Sequence, residues 1–275
     1  MTKHTISVVI PTHDRPEFLA EAVESALAQT ADILEVIVVD DASTLDLGPA
    51  LARFGDKVRY ERLSENSGAN VARNRGIALA RGTLIGFLDD DDMWVPHKAA
   101  RQIAAIESGA EACLCATRAM DGTSREKRGK RVVDEDWLRA STPCGTSGLV
   151  ALRAVMEAER FDPAIPRGQD WDVFVRLAKR GPIAYIDEPL YIRRSGHDRI
   201  TTAALRRTPA ELFASAAALH KHRRWLGEAA YRRRLARVLL SFIAQRRGKF
   251  RYLAAALRHA GLRATLSELR RKFRR

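Results

Sequence analysis

Short runs of consecutive apolar residues alternate with longer stretches of three-to-four spacing through the first 200 residues. Residues 5–10 are a β-branched apolar run that stops at Pro11, and residues 33–39 are a second, closed by Asp40 and Asp41. Residues 83–88 are a third, ending in four aspartates at 89–92, and residues 58–63 alternate weakly as a further strand. Between them, residues 16–28 place Phe18, Leu19, Ala22, Val23, Ala26 and Leu27 on one helical stripe, and residues 69–80 read as helix. Continuous apolar strands separated by amphipathic helices predict an α/β fold with a mostly parallel central sheet covered on both faces. Farther on, Pro96 marks the start of another helix holding Ile103 and Ile106, and residues 112–116 form a strand. Residues 120–135 are a polar loop or irregular hairpin. A strand near 148–152, a helix over 170–179 and short strands at 183–186 and 190–193 follow.

From Thr208 the texture changes. Thr208-Pro209-Ala210-Glu211 is a capping box with proline at the first helical position, and Gly227, Gly248 and Gly261 punctuate three or four helices. Residues 201–275 hold 20 lysines and arginines against three acids, whereas residues 1–200 hold 27 against 31. The two regions must face different partners, so the expected division is a catalytic domain over 1–200 and a basic helical region over 201–275. Cys113, Cys115 and Cys144 have no framework spacing and read as buried, reduced residues without zinc. No apolar run approaches the ~20 residues of a membrane span. The chain enters a strand almost at once, so no leader is expected and the reading is cytoplasmic.

The candidate chemistry collects at one sheet edge. In an open parallel sheet the carboxyl ends of the strands meet, and nucleotides and metals bind there. That edge gathers Pro11, Thr12, Asp14 and Arg15, then Asp40, Asp41 and Ser43, then residues 89–92. Carboxylates this dense repel unless a cation or a set of donors holds them. The segment with Asn66, Gly68 and Arg73 enters a helix, but it is neither a G-x-G-x-x-G fingerprint nor a P-loop. A nucleoside diphosphate held by a metal and scattered polar contacts is the reading left.

These elements resemble the family-2 glycosyltransferases, which have the GT-A fold. The match rests on Val9-Ile10-Pro11-Thr12, Val39-Asp40-Asp41-Ala42-Ser43, Asn66-Ser67-Gly68 with Ala72-Arg73-Asn74, and the run from Phe87 to Trp94. Phe161-Asp162 and then Gly168-Gln169-Asp170 complete it, over about residues 5–195. The resemblance implies an inverting, metal-dependent transfer of a sugar from a nucleoside-diphosphate sugar to an acceptor hydroxyl. Asp89, Asp90 and Asp91 match the family's D-x-D element. Asp91, with Asp89, would hold Mn2+ or Mg2+ on the diphosphate, while Asp89 or Asp90 would touch the ribose or a metal-bound water. Thr12 and Asp41, with Asp40 beside them, match nucleobase positions, and Asp170 matches the catalytic base. A carboxylate at the base site favours uracil, thymine or guanine, which offer a ring N–H, over cytosine. The chain departs from the family at Gln169, where glutamate is common, and at His13-Asp14.

Each feature also has a plainer reading. Residues 89–92 could cap a following helix, Asp40-Asp41 could be a local turn, and Asp170 could cap its helix, with Asp172 as the alternative base. Arg73 either pairs with a surface carboxylate or contacts the donor, and His197 is either a loop closing over the donor or simply exposed. A nucleotidyltransferase and a silent nucleotide-sugar-binding scaffold are the competing functions. Two stripes stand out in the tail. Tyr231, Leu235, Leu239 and Phe242 form one, and Leu262, Leu266, Leu269 and Phe273 the other, both flanked by arginines. They suit either an anionic membrane surface contacted by residues 208–275 at the inner face, or a packed bundle with a solvated basic face. Nucleic acid ranks last. The acceptor expected is a growing surface glycan or a lipid-linked one.

Overall fold

The computed structural model describes residues 4–123, 129–194 and 205–273; His197 lies outside them. The chain divides into two compact units. The first comprises residues 1–138, 142–163 and 173–195, and the second 139–141, 164–172 and 196–275.

In the first unit the strands β1 (Ile6–Thr12), β2 (Ile33–Asp40), β3 (Val58–Arg62) and β4 (Leu84–Phe87) alternate with α1 (Pro16–Leu27), the short α2 (Gly48–Leu51) and α3 (Ala69–Leu79). Then come β5 (Asp92–Trp94), α4 (Lys98–Glu107), β6 (Ala112–Ala119), β7 (Val132–Val133), α5 (Glu135–Ala140), β8 (Val150–Leu152) and α6 (Arg153–Glu159). Helix α7 (Gln169–Arg180), whose residues 169–172 belong to the second unit, and strand β9 (Ile183–Arg193) follow. The sheet order is β3-β2-β1-β4-β8-β6-β9-β5, with β7 also on β9. The first four strands are mutually parallel, as the apolar runs predict. Beyond them the sheet is mixed, because β8 runs against both β4 and β6 while β5 and β7 run against β9. Leu19, Ala22, Val23 and Ala26 of α1 are buried, and so is every residue of β1.

Three local readings change. The helix expected at Pro96 begins at Lys98. The Pro96 carbonyl accepts from Thr30 N–H at 2.8 Å and is spent outside any helix. The two strands expected at 183–186 and 190–193 are one, and an irregular register against Cys115 and Ala116 takes up the residues between them. Asp92 to Trp94, read only as the end of the acidic run and the residues after it, forms a strand paired with β9. Cys113, Cys115 and Cys144 are buried free thiols, and burial lifts Cys113 to about 12 and Cys115 to about 11.

The second unit holds α8 (Pro209–Ala214), α9 (Ala217–Lys221), α10 (Arg223–Leu226), α11 (Glu228–Leu239), α12 (Lys249–Ala260) and α13 (Leu262–Phe273). Thr208 caps α8 in the predicted reciprocal box with Glu211. Among the described residues no helix is long and apolar enough to cross a membrane.

Gly76 decides how α3 meets the sheet. A Cβ there would lie 2.3 Å from Val9 Cγ1, so only a glycine lets the helix settle on β1. Gly76→Val is therefore expected to cost about 1–3 kcal/mol through overpacking, measured by chemical denaturation. Unchanged stability would mean that α3 does not seat this closely.

Candidate functional site

Backbone register brings three strand ends together. Thr12 pairs with Asp40 across β1 and β2, and Asp41 N–H donates to Thr12 O at 2.9 Å. Leu88 N–H donates to Val9 O at 3.1 Å, so β4 delivers its aspartates beside the end of β1. Sequence order thus becomes spatial convergence within the first unit.

Asp90 lies at the bottom of this edge, 6% exposed. It accepts from Thr12 Oγ1 at 2.8 Å and from Arg15 Nη1 at 3.2 Å. Burial dominates its ionisation and pushes its pKa to about 6, with the neighbouring Asp91 and Asp89 adding repulsion while Arg15 and Thr12 oppose it. Arg15 Nη1 also reaches Asp91 Oδ2 at 3.5 Å. Asp89 is held by the buried Arg73, Nη2 to Oδ1 at 2.6 Å. Ser147, fully buried, donates from Oγ to Asp92 Oδ2 at 2.7 Å and accepts the Asp89 N–H at 3.1 Å. One hydroxyl therefore spans the acidic turn.

Of the two acids at the end of β2, Asp40 supports the edge from below. It is fully buried; Oδ1 accepts from Ser43 N–H at 2.8 Å and Ser43 Oγ at 2.5 Å, and Oδ2 accepts from Tyr60 Oη at 2.6 Å. Burial, then the bond to Asp40, pushes the Tyr60 phenol to about 12. Asp41 accepts the Ser67 and Gly68 N–H groups at 2.7 and 2.8 Å. Its carboxylate thereby fixes the loop that carries Asn66 and Gly68 into α3, where Gly68 adopts φ +90°. Asp14 accepts from Leu45 N–H at 2.9 Å and Thr44 N–H at 2.6 Å, and these bonds hold its carboxyl below the usual range. His13 Nδ1 contacts Asp41 O at 2.9 Å, and Asn66 Nδ2 lies 3.2 Å from His13 Nε2. Pro11 is a buried strand residue at the same edge.

Helix α3 explains the Ala72-Arg73-Asn74 pattern. Asn74 Nδ2 donates to Phe161 O at 2.7 Å and its Oδ1 accepts the Phe161 N–H at 2.8 Å, as a neighbouring strand would. Asn70 Nδ2 donates to Asp162 O at 2.9 Å. Phe161 packs edge-on to Phe87 and under the Arg73 guanidinium. The buried arginine is thereby aimed at Asp89 and not at a surface acid.

Asp170 belongs to the second unit, in the first turn of α7 after Gln169. It is half-buried, and Oδ1 accepts the Trp171 N–H at 2.7 Å. Asp172 differs sharply: at 1% exposure it accepts from His222 Nε2 at 2.7 Å and pairs with Lys221 Nζ at 3.1 Å. Arg234 lies over the Trp171 ring at 4.3 Å, while His222 and Trp225 meet that ring edge-on. Burial draws the Arg234 guanidinium down to about 10, a pull the Asp170 charge opposes.

The aspartate turn suits a divalent cation. One oxygen each from Asp89, Asp91 and Asp92 lies within 4.8 Å of the others. Hard oxygen ligands about 2.0–2.6 Å from a common centre span that distance, and Arg15 and Arg73 each pair with carboxylates of this turn. Geometry thus adds Asp92 to the Asp89 and Asp91 expected from sequence.

An α/β sheet that gathers acids, a hydroxyl and arginines at its carboxyl edge places a polar ligand-binding crevice where such sheets bind their ligands. The Glycosyl transferase family 2 model matches residues 7–152, and the chain belongs to that family. A glycosyltransferase of Rickettsia bellii is 30% identical over 210 residues, covering 70% of this chain and 30% of the relative. The chondroitin synthase of Escherichia coli is 29% identical over 197 residues, covering 68% of this chain and 28% of that protein. The chain thus spans less than a third of either relative's length. Among solved structures, Staphylococcus aureus TarS 1-349 in complex with UDP aligns at TM-score 0.63 and 18% identity, covering 87% of this chain and 72% of that one. The expected GT-A architecture is borne out by that likeness.

Two structural residues escaped the sequence reading. Ser147 sits in an unremarked Gly-Thr-Ser-Gly loop, and His222 in a basic run whose only visible signal was charge. Ser147→Ala is expected to cost about 1–3 kcal/mol, since it removes the donor to buried Asp92; denaturation midpoints would check it. His222→Ala should cost a similar ~1–3 kcal/mol by stripping a partner from buried Asp172, seen as a fall in Tm. An unaltered Tm would refute that role.

Proposed function

We propose that the chain is an inverting, metal-dependent glycosyltransferase that moves a sugar from a UDP-, dTDP- or GDP-sugar to an acceptor hydroxyl of a surface polysaccharide or glycolipid. The observation that carries this reading is the oxygen cluster of Asp89, Asp91 and Asp92, set beside Thr12, Arg15 and Arg73. When bound there, Mn2+ or Mg2+ would neutralise the leaving diphosphate. Arg15 and Arg73 add fixed positive charge at the same edge, and buried Thr12 and Asp90 set its floor. Asp41 and Asn66 line the base side with His13. Asp40, Asp14 and Ser43 act as supports, because their polar atoms are engaged with the backbone and with Tyr60.

Asp170 is assigned the general base that takes the acceptor proton as its oxygen attacks the anomeric carbon. The assignment prefers Asp170 to Asp172, whose carboxylate is buried against His222 and Lys221. TarS was solved with UDP and with UDP-GlcNAc, which makes uridine nucleotides the first donors to try. The chondroitin synthase relative supports a polysaccharide acceptor. A nucleotidyltransferase gives Asp170 no role, and a silent scaffold would need no base.

The test is release of free nucleotide from a panel of activated sugars with Mn2+ or Mg2+. Asp170→Asn is expected to lower kcat about 10²–10⁴-fold with nucleotide binding retained, and Asp91→Asn to abolish metal-dependent binding. Tighter binding of CDP than of UDP or GDP would overturn the base assignment, and turnover that survives Asp170→Asn would remove the general base.

A further inference from the structure

The two arginine-flanked stripes of the tail look alike in sequence but meet opposite fates. Tyr231, Leu235 and Leu239 of α11 are buried, so that stripe is consumed by packing within the second unit. On α13 the arrangement is reversed. Ala264, Thr265 and Glu268 are the buried residues, whereas Leu262 is 62% and Phe273 73% exposed, with Leu266 exposed beside them. Glu268 is held inward by Arg271 at 2.5 Å, with Arg237 of α11 at 3.8 Å and Lys272 at 3.9 Å. An ion cluster therefore anchors this helix by its polar side and leaves Leu262, Leu266 and Phe273 in solvent.

Helix α12 reaches the same outcome through small residues. Ala256 and Ala260 are buried, while Phe250 is 83% exposed and Leu257 lies seven residues on, on the same side. At 3.6 residues per turn, Arg251 and Arg258 fall on the far flank of the Phe250 and Leu257 stripe, and Arg263 and Arg270 on that of the Leu262, Leu266 and Phe273 stripe. All four arginines are exposed. Every exposed large apolar residue described in the second unit lies on these two helices.

We propose that the exposed faces of α12 and α13 form a docking surface for an anionic lipid bilayer, with Phe250, Leu257, Leu262, Leu266 and Phe273 entering the headgroup boundary. An apolar strip bordered by arginines is the composition of an interfacial helix: the rings and leucines bury, while the guanidiniums meet lipid phosphates. Charge selects this occupant over a second copy of the chain. Apposed copies would press their arginine rows together, and residues 201–275 supply only three acids to answer them. This surface is independent of the donor chemistry, so either proposal can fail alone.

The test is co-sedimentation of the full chain with phosphatidylglycerol-containing vesicles against pure phosphatidylcholine vesicles, at low and high salt. Binding to the anionic vesicles only, weakened by salt, is expected. Changing Arg251, Arg258, Arg263 and Arg270 to Glu should weaken it by at least about fivefold per residue. The triple variant Phe250→Ser, Leu262→Ser, Phe273→Ser should weaken it roughly tenfold or more while keeping the wild-type Tm, because these side chains are exposed. If the serine variant binds as wild type while the arginine variant does not, the attachment is charge alone and the inserted face is refuted. No sedimentation with anionic vesicles also overturns the proposal, as does a dimer in light scattering that the serine changes dissociate.

Discussion

Four adjacent carboxylates at the end of a buried strand repel one another, and the folded chain must answer that repulsion before it can use it. The answers come from elsewhere in the sequence: Thr12 from the end of β1, Arg15 from the loop after it, Arg73 from α3, and Ser147 from the turn before β8. Each tie to the acidic turn also fixes the position of its own element. The charge problem at residues 89–92 and the assembly of the sheet edge are thus one constraint. A divalent cation held by this turn is the chemistry that would offset the mutual repulsion of its carboxylates.

Support beneath the site follows the same rule of spending polar groups on backbone. Asp40, Asp41 and Asp14 look interchangeable as sequence, yet Asp40 and Asp14 accept N–H groups from the loop after β2, whereas Asp41 accepts them from the loop before α3. Asp41 draws the Asn66 loop toward β2, and Asp14 draws residues 44 and 45 toward β1. Loops at an active edge have few internal hydrogen bonds, and a carboxylate that accepts two of their N–H groups substitutes for the missing ladder. Asn74 does the equivalent for Phe161 with an amide, which explains why that side chain sits where no donor chemistry requires it.

The legible part of the fold was the part buried on both faces. Strands β1, β2 and β4 read as apolar runs because parallel strands are covered on each side, whereas β3, largely exposed at the sheet's edge, alternates only weakly. Strand β5 was not legible: it is three residues long, begins with an acid, and pairs with residues about a hundred positions away. The density of aspartates made the site visible, but their division of labour was hidden, since a buried acid and a ligand acid share one letter. Ser147 gave no signal because its role depends on a contact 55 residues distant. In the tail, periodicity revealed that α11 and α13 are amphipathic but not which side would be packed. That choice came from Glu268, an acid placed among cations.

The basic region consequently does two kinds of work in one unit. Its net charge suggests a surface for anionic partners, yet Lys221, His222, Trp225 and Arg234 are built around Trp171 and Asp172. Those two residues flank the turn that carries Asp170, one beside it and the other two positions on. A helix terminus is the part of a helix most prone to fray, since its first N–H groups lack intrahelical partners. Burying Trp171 under a guanidinium and tying Asp172 to a histidine holds that first turn in place, and a carboxylate in such a turn keeps its direction. Within the second unit the tail is therefore part of what would position the proposed base.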